Sequence, residues 1–289
     1  MDSWKELNAE GVRMYESGDF ARAYELFGDA YRMSPRIAAL AYNLGMAALC
    51  VNRHDEARAC IDAYQRLIER TCPYFTEMDR LGVESLPLDG LDRRAFDGLL
   101  ERGFRRTGDT VSRNVCPECR HCVQTRIVLS DFEPSRSQRR VLARNADVAV
   151  RDALRPEPAP AKAELLGRYL VARHEWMDRD FSRELEEVFR PWEGSLEFDF
   201  FLGDSLIMAA IVDAGERDLY TSACFFDPDM RRRSLGTFNL LTAILWGKEK
   251  GFRYLYTGEY ITSRQNMAYK QFFRPRQDLG ADGRWEAGT

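Results

Sequence analysis

The sequence predicts an α+β protein: an all-α module of helical hairpins, then a mixed sheet with helices. Three observations predict it. Small residues recur 34 positions apart within residues 1–70, as Gly11 to Gly45 and Ala23 to Ala57. Apolar residues come in short strand-like runs between Leu196 and Phe226, with turns between them. A long amphipathic stretch over 234–250 then precedes another short run at Tyr254 to Thr257.

The front module comes first. The spacing predicts helices over about 5–16, 20–33, 37–50 and 54–70, turned at Gly18-Asp19 and Asn52-Arg53. Alanines allow close approach, and Leu26, Phe27, Leu44 and Ile61 fill the seam. The period and the placement of small residues resemble the tetratricopeptide repeat. The first copy is the more specific. In the second, Tyr64 stands for a small residue and Glu69 for the proline. Two repeats are fewer than the roughly three that usually stand alone. The module is therefore expected to pack on the rest of the chain, on a second copy or on a protein partner. Lys5, Asn8, Tyr15, Tyr42 and Met46 would face its inner groove.

Length and composition bound the rest. The chain has 289 residues, room for about two domains. Hydrophobic content of 45% and charged content of 30% describe an ordinary globular protein. No apolar run approaches the roughly 20 residues that cross a bilayer. Lys5, Glu6, Glu10 and Arg13 interrupt any leader-like core, so a cytoplasmic protein with no membrane contact is expected. Seven cysteines, an odd number, read as thiols or metal ligands rather than a disulfide frame.

After a loop-rich boundary over 71–91 and a helix from Asp92 to Gly103, charge concentrates. Between Arg102 and Asn145 stand ten Arg, no Lys and four acids, a local +6 in a chain of net −4. Such a face suits a phosphate-bearing partner, RNA first. Arg136, Ser137, Arg139, Arg140 and Arg144 are its candidate contacts. Cys116, Cys119 and Cys122, with Cys72 at a distance, offer four thiolates. That count suits a structural zinc or an iron–sulfur cluster, and reduced thiols in a tight loop suit it equally. Cys50, Cys60 and Cys224 read as buried hydrophobes.

In the second half, Pro156, Pro158 and Pro160 mark a solvent loop, followed by helices over 162–178 and 180–190. Glu197–Leu202, Ser205–Val212 and Leu219–Phe226 read as successive strands. Strands, then the 234–250 helix capped by Gly251, then a strand is the order of the acetyltransferase-like (GNAT-like) fold. Arg231, Arg232, Arg233 and Ser234 sit at the start of that helix, where free backbone N–H groups and the helix dipole favour a phosphate. An ordinary serine cap on a charged loop is the alternative. Ser234 and Thr237 stand where a coenzyme A site would have glycines, which weakens a CoA reading. The expected layout is a helical module over 1–70, a Cys/Arg-rich part over 71–150 and an acetyltransferase-like catalytic part over 151–289.

Several blocks together resemble the aminoacyl-tRNA–protein transferases, the arginyltransferases and, more closely, the bacterial aspartate/glutamate leucyltransferases. They are Cys72-Pro-Tyr74, Gly103-Phe-Arg-Arg-Thr-Gly-Asp109, the C-x-x-C-x-x-C run, Pro134–Arg140 and Arg144-Asn145-Ala-Asp147. The series continues through Tyr169–His174, Phe225–Asp229, Arg232–Thr237 and Tyr254–Gly258, and ends in Met267–Lys270, Phe273-Arg-Pro275 and Asp282–Trp285. The resemblance spans about 72–286 and leaves the helical repeats outside. It implies aminolysis: the α-amine of an acceptor polypeptide attacks the ester of an aminoacyl-tRNA, which tags an N-terminus for degradation. The same chemistry on a dedicated peptide or small molecule, a CoA-dependent acyltransferase and a non-catalytic adaptor are the alternatives.

An ester is activated and an α-amine titrates near about 7.7–8, so positioning and an oxyanion donor matter more than a strong base. No cofactor is required for that step. Asp227, Glu259, Tyr256 and Lys270 are the catalytic candidates; Arg105, Tyr269 and Arg274, with Lys270, are the candidates for an acidic acceptor. Two positions depart from the leucyltransferase motifs: Glu259 replaces an aromatic residue and Gln124 a proline. A carboxylate at Glu259 near the donor pocket would favour a cationic donor such as arginine over leucine; a side chain that points to solvent is the equal alternative.

Overall fold

The computed structural model describes residues 3–35, 37–70, 72, 75, 82–116, 119–153, 155–174, 181–261, 263 and 265–288. Pro73 and Tyr74 of the first motif lie outside the described residues. The chain forms two compact units, Met1–Gly82 and Val83–Thr289.

The first unit is four helices, α1 (Ser3–Glu16), α2 (Phe20–Met33), α3 (Ala38–Cys50) and α4 (His54–Arg70), within a residue or two of the predicted bounds. They pair as α1–α2 and α3–α4 hairpins. Gly18 (φ +85°) and Asn52 (φ 59°) take the left-handed conformation that each tight turn requires. The repeating glycines have a packing cause. A Cβ on Gly11 would lie 2.6 Å from the Phe27 ring, and one on Gly45 would lie 3.2 Å from the Cβ of Cys60. Ala23, Leu26, Phe27, Ala30 and Ala57 are buried as the pattern demands. Across the inner side, Asn43 donates to Asn8 at 2.9 Å.

The second unit opens with β1 (Val83–Pro87), α5 (Arg93–Glu101), β2 (Arg105–Thr107) and β3 (Thr110–Asn114). The strands form a small antiparallel sheet in the order β1-β3-β2. Then follow β4 (Val123–Val128), α6 (Arg136–Arg144), β5 (Val148–Ala153), α7 (Pro160–His174) and α8 (Ser182–Val188). β6 (Ser195–Leu202), β7 (Ser205–Ala214), β8 (Asp218–Phe226), α9 (Leu235–Glu249) and β9 (Tyr254–Tyr260) come next. A short α10 (Gln265–Ala268), β10 (Arg276–Leu279) and β11 (Trp285–Ala287) finish the unit.

The main sheet has eight strands in the order β11-β10-β4-β9-β8-β7-β6-β5. Its pairings are antiparallel except β8 with β9, which is parallel. β7 is buried along almost its whole length because both faces are covered. Met208, Ala210 and Val212 join the core with Leu240, Leu241 and Ile244 of α9. The alternate residues Ala209 and Ile211 pack with Leu165, Leu166 and Leu170 of α7. Phe96, Leu99 and Leu100 of α5 pack on Tyr220 and Tyr256.

Two expectations change. The division at 150 is not a structural break. β4, from the Cys/Arg-rich part, lies between β10 and β9, and β5 pairs with β6 across the expected seam. The loop read at 71–91 contains β1, and strands β2, β3, β4, β5, β10 and β11 and helix α6 were not foreseen.

Arg106 fastens the small sheet to the large one. Its guanidinium donates to Ser195 Oγ at 2.7 Å and to Asp213 at 2.8 Å. Both charged side chains are buried, at 2% and 0% exposure. Arg106→Leu leaves Asp213 buried without its counter-charge, so denaturant unfolding should show a loss of about 3–5 kcal/mol. A loss below about 1 kcal/mol would mean the pair does not hold the sheets together.

Candidate active site

The one parallel pairing in the sheet is short. β8 and β9 pair only at Asp218↔Tyr254, Leu219↔Leu255 and Tyr220↔Tyr256. Beyond these residues β8 runs to Phe226 and β9 to Tyr260 without pairing to each other. A bulge lies on each strand where they part. On β8 the extra residue is Ser222, between Thr221 and Ala223, which pair with the consecutive Val212 and Ile211 of β7. On β9 it is Thr257, between Tyr256 and Gly258, which pair with the consecutive Arg126 and Thr125 of β4. Each bulge adds twist and turns its strand from its neighbour. Gly258, at φ +70°, sits in this bend, where a side chain would be strained.

Lys270 occupies the fork. Its Nζ donates to the carbonyl oxygens of Thr257 at 2.6 Å and Glu259 at 3.0 Å. These are β9 backbone acceptors that a continued ladder would satisfy. Burial pulls the Lys270 ammonium down to about 8, opposed by the charge of Glu259 and reinforced by that of Arg105. Tyr220, the last paired residue of β8, has its hydroxyl pushed up by burial. Cys224 on β8 is likewise pushed up, to about 12, so its thiol is no nucleophile.

At the mouth of the fork lies a cleft of about 610 Å³. Tyr169 of α7, Phe226, Met230 and Tyr269 form its walls, and Ser234 to Thr237 line one side. Tyr169 and Phe226 meet edge to face at 5.0 Å. Ser234 has φ 54° and ψ 49°, and its side chain makes no cap hydrogen bond. The serine-cap alternative is thus not realised, and the first N–H groups of α9 are left to the cleft. Among the described residues no carboxylate lines this cleft.

The arginines lie on a joined surface. Ser135 and Gln138 form a capping box that starts α6. This leaves Arg136, Ser137, Arg139, Arg140 and Arg144 exposed. Arg144 donates to the Arg232 carbonyl, and Arg233 to the Arg144 carbonyl and to both oxygens of Asp147. Asn145 donates to the carbonyls of Val141 and Arg233. The end of α6 is therefore tied to the 3-10 turn Arg231–Arg233 that leads into α9. Arg233 is committed to Asp147, while Arg231 and Arg232 remain exposed.

Other predicted residues do not line the cleft at the fork. The Asp227 carboxylate is held by Arg168 at 2.8 Å, which Asp229 shares. Tyr256 is buried, and its hydroxyl accepts from Arg126 at 2.8 Å. Arg274 is exposed and donates to Gly288. Cys116, Cys119 and Cys122 line a separate cleft of about 680 Å³ with Arg102, Arg113 and Gln124. Among the described residues no three Cys, His, Asp or Glu are gathered to hold a metal ion. Cys72 belongs to the Met1–Gly82 unit.

Glu259 differs from its expectation. It is 4% exposed, with Oε2 3.2 Å from Arg105 Nε and 3.1 Å from Gln124 Nε2. Gln124 is its direct cross-strand neighbour, so the two departures from the motifs are hydrogen-bonded to each other. A carboxylate so engaged presents no free charge to a cationic donor. Sequence reasoning did not single out Arg168, which neutralises Asp227, or the walls Tyr169 and Phe226. The walls did stand in motifs already noted.

Two family models match the chain: "Arginine-tRNA-protein transferase, N terminus" over residues 70–140 and "Arginine-tRNA-protein transferase, C terminus" over 161–280. The aspartate/glutamate leucyltransferase of Stenotrophomonas maltophilia (strain K279a) is 37% identical over 231 residues, covering 75% of this chain and 88% of that protein. That of Parvibaculum lavamentivorans is 34% identical over 252 residues, covering 81% and 98%. Among solved structures FemX overlays loosely, at a TM-score of 0.39 and 11% identity over 73% of this chain and 69% of that one. On the motifs, the matched models and these relatives, the chain belongs to the arginine-tRNA-protein transferase family and is an aminoacyl-tRNA–protein transferase.

Proposed function

We propose that the protein moves leucine from leucyl-tRNA to the α-amine of polypeptides that begin with aspartate or glutamate, and that it does so in the cytoplasm. One observation carries the choice of donor. The cleft at the fork is walled by Tyr169, Phe226, Met230 and Leu235, and among the described residues no carboxylate lines it. The acids near it are engaged, Asp227 by Arg168 and Glu259 by Arg105. An apolar side chain is favoured there, while an arginine side chain would lose water without gaining a counter-ion. The relatives are named as leucyltransferases acting on aspartate and glutamate, which agrees.

On this reading the unit Val83–Thr289 is acetyltransferase-like. The strand order, the parallel fork and the uncapped start of α9 support it. The N–H groups of Leu235, Gly236 and Thr237, beside Arg231 and Arg232, take the phosphates next to the terminal adenosine. Arg136, Arg139, Arg140 and Arg144 extend that grip along the acceptor stem. Both departures from a CoA-type loop, Ser234 and Thr237, line this cleft. The Met1–Gly82 unit is read as two tetratricopeptide-like hairpins that take a protein partner or a second copy.

The step is a displacement at the ester carbonyl. The neutral α-amine forms the C–N bond, the ester C–O bond breaks, and the amine proton passes to the departing ribose oxygen. Leucyl-polypeptide and free tRNA result. The residues orient the two partners and stabilise developing charge. Lys270 and Arg105 are the cations that face an acidic first residue of the acceptor, and Tyr269 lines the wall between them and the leucyl group.

Purified protein, radiolabelled leucyl-tRNA and arginyl-tRNA, and peptides beginning with Asp, Glu, Ala or Lys test this directly. Leucine should pass to the Asp and Glu peptides only. Transfer of arginine in preference to leucine, or of neither, would overturn the reading. The pH profile gives a second test. Lys270 is charged below about 8 and neutral above. The kcat/KM for acidic peptides, corrected for the neutral fraction of their α-amine, should therefore fall as pH rises through about 8, because the acceptor carboxylate loses a cation. Lys270→Arg keeps its charge and should remove that alkaline limb; a limb unchanged in the variant would take Lys270 out of acceptor binding.

A further inference from the structure

Arg105 faces a carboxylate before any substrate arrives. Its Nε lies 3.2 Å from Glu259 Oε2, and the side chains are 16% and 4% exposed. Gln124 Nε2 holds the same oxygen at 3.1 Å from the adjoining strand. Nη2 of Arg105 reaches Asn114 Oδ1 at 3.5 Å. Nη1 is buried and has no hydrogen-bond partner among the described residues. A guanidinium takes a carboxylate best through two N–H groups at once. Here one carboxylate oxygen uses the Nε side, and a donor is left over.

The surroundings make this contact consequential. Lys270, Arg105 and Glu259 feel one another's charge, and Tyr220 beside them feels both Arg105 and Glu259. Two cations thus face the Glu259 carboxylate in a largely buried place. Low-dielectric surroundings strengthen each of these interactions and make an uncompensated charge costly.

We propose that Glu259 is an internal occupant of the acceptor-carboxylate site, holding the face of Arg105 that an aspartate or glutamate at the acceptor N-terminus takes. This rests on the acceptor reading given above. An incoming carboxylate must displace Glu259 or share Arg105 with a like charge, and either weakens binding. Glu259 acts through Arg105 and is a selectivity residue, not a catalytic one. It discriminates against acceptors whose carboxylate cannot reach the guanidinium once Glu259 moves aside. Gln124 gives the displaced or resting carboxylate a fixed position on β4.

The test is calorimetric binding of peptides that begin with Asp, Glu, Asn or Gln to the full-length chain. Glu259→Gln should tighten the Asp and Glu peptides about tenfold, on the scale of a close buried charge coupling, and leave the Asn and Gln peptides unchanged. Glu259→Asp, which withdraws the carboxylate by one methylene, should shift affinity in the same direction by less. In steady-state assays the gain appears in KM, with kcat changed by less than about threefold. Acidic peptides bound no more tightly by a folded variant would overturn the proposal. So would equal tightening of the Asn and Gln peptides, or unfolding of both variants, which would make the contact one of fold. Wild-type protein that transfers leucine to acidic peptides while Glu259→Gln binds them unchanged overturns this proposal alone. Wild-type protein that transfers nothing to them overturns the reading beneath it as well.

Discussion

A parallel strand pair that ends after three residue pairs would leave backbone acceptors exposed inside a protein. Buried carbonyl groups need partners, and an open strand edge is otherwise a defect. Lys270 removes the defect by donating to Thr257 and Glu259 on the β9 side. The ammonium lets the sheet stay parted and also places a positive charge at the bottom of the gap. Both bulges, at Ser222 and Thr257, fall at the same level and turn the strands away from each other. The gap, the cation and the start of α9 are thus consequences of one interruption in one ladder.

Packing keeps the interruption rigid. α9 covers one face with Leu240, Leu241 and Ile244, and α7 and α5 cover the other. Beside the fork, Arg126 lies between aromatic rings, 3.8 Å from the centre of Tyr254 and 4.4 Å from that of Trp285. It also donates to Tyr256 at the last paired position of β9. That stack fixes β4 against β9, so the divergence is confined to the β8 side. The arginines at the surface are organised in the same way. Arg144 and Arg233 interlock α6 with the turn before α9.

Much of this was legible before the structure. The 34-residue recurrence placed all four helices of the first unit because Gly11 and Gly45 must let a neighbouring helix approach. Short apolar runs separated by turns placed β6, β7, β8 and β9, and the long stretch before Gly251 placed α9. The small sheet was not legible. Strands such as Thr110-Val-Ser-Arg-Asn114 are short, half-exposed and without a clean period. β4 was hidden by Arg126, a charge buried through aromatic stacking rather than by an apolar side chain. The motifs contained Lys270 and Tyr269, but no motif states which acid a distant arginine neutralises. Asp227 is matched by Arg168, and Glu259 by Arg105, through contacts that exist only in three dimensions.

The account therefore stands or falls on what the gap between β8 and β9 holds. A crystal structure with a non-hydrolysable amide of leucine on 3′-amino-adenosine 5′-phosphate measures this directly. The leucyl group should lie between Phe226 and Tyr269, with the phosphate against the N–H groups of Leu235 to Thr237. Density for the leucyl group in the cleft lined by Cys116, Cys119 and Cys122, with the fork left empty, would contradict it.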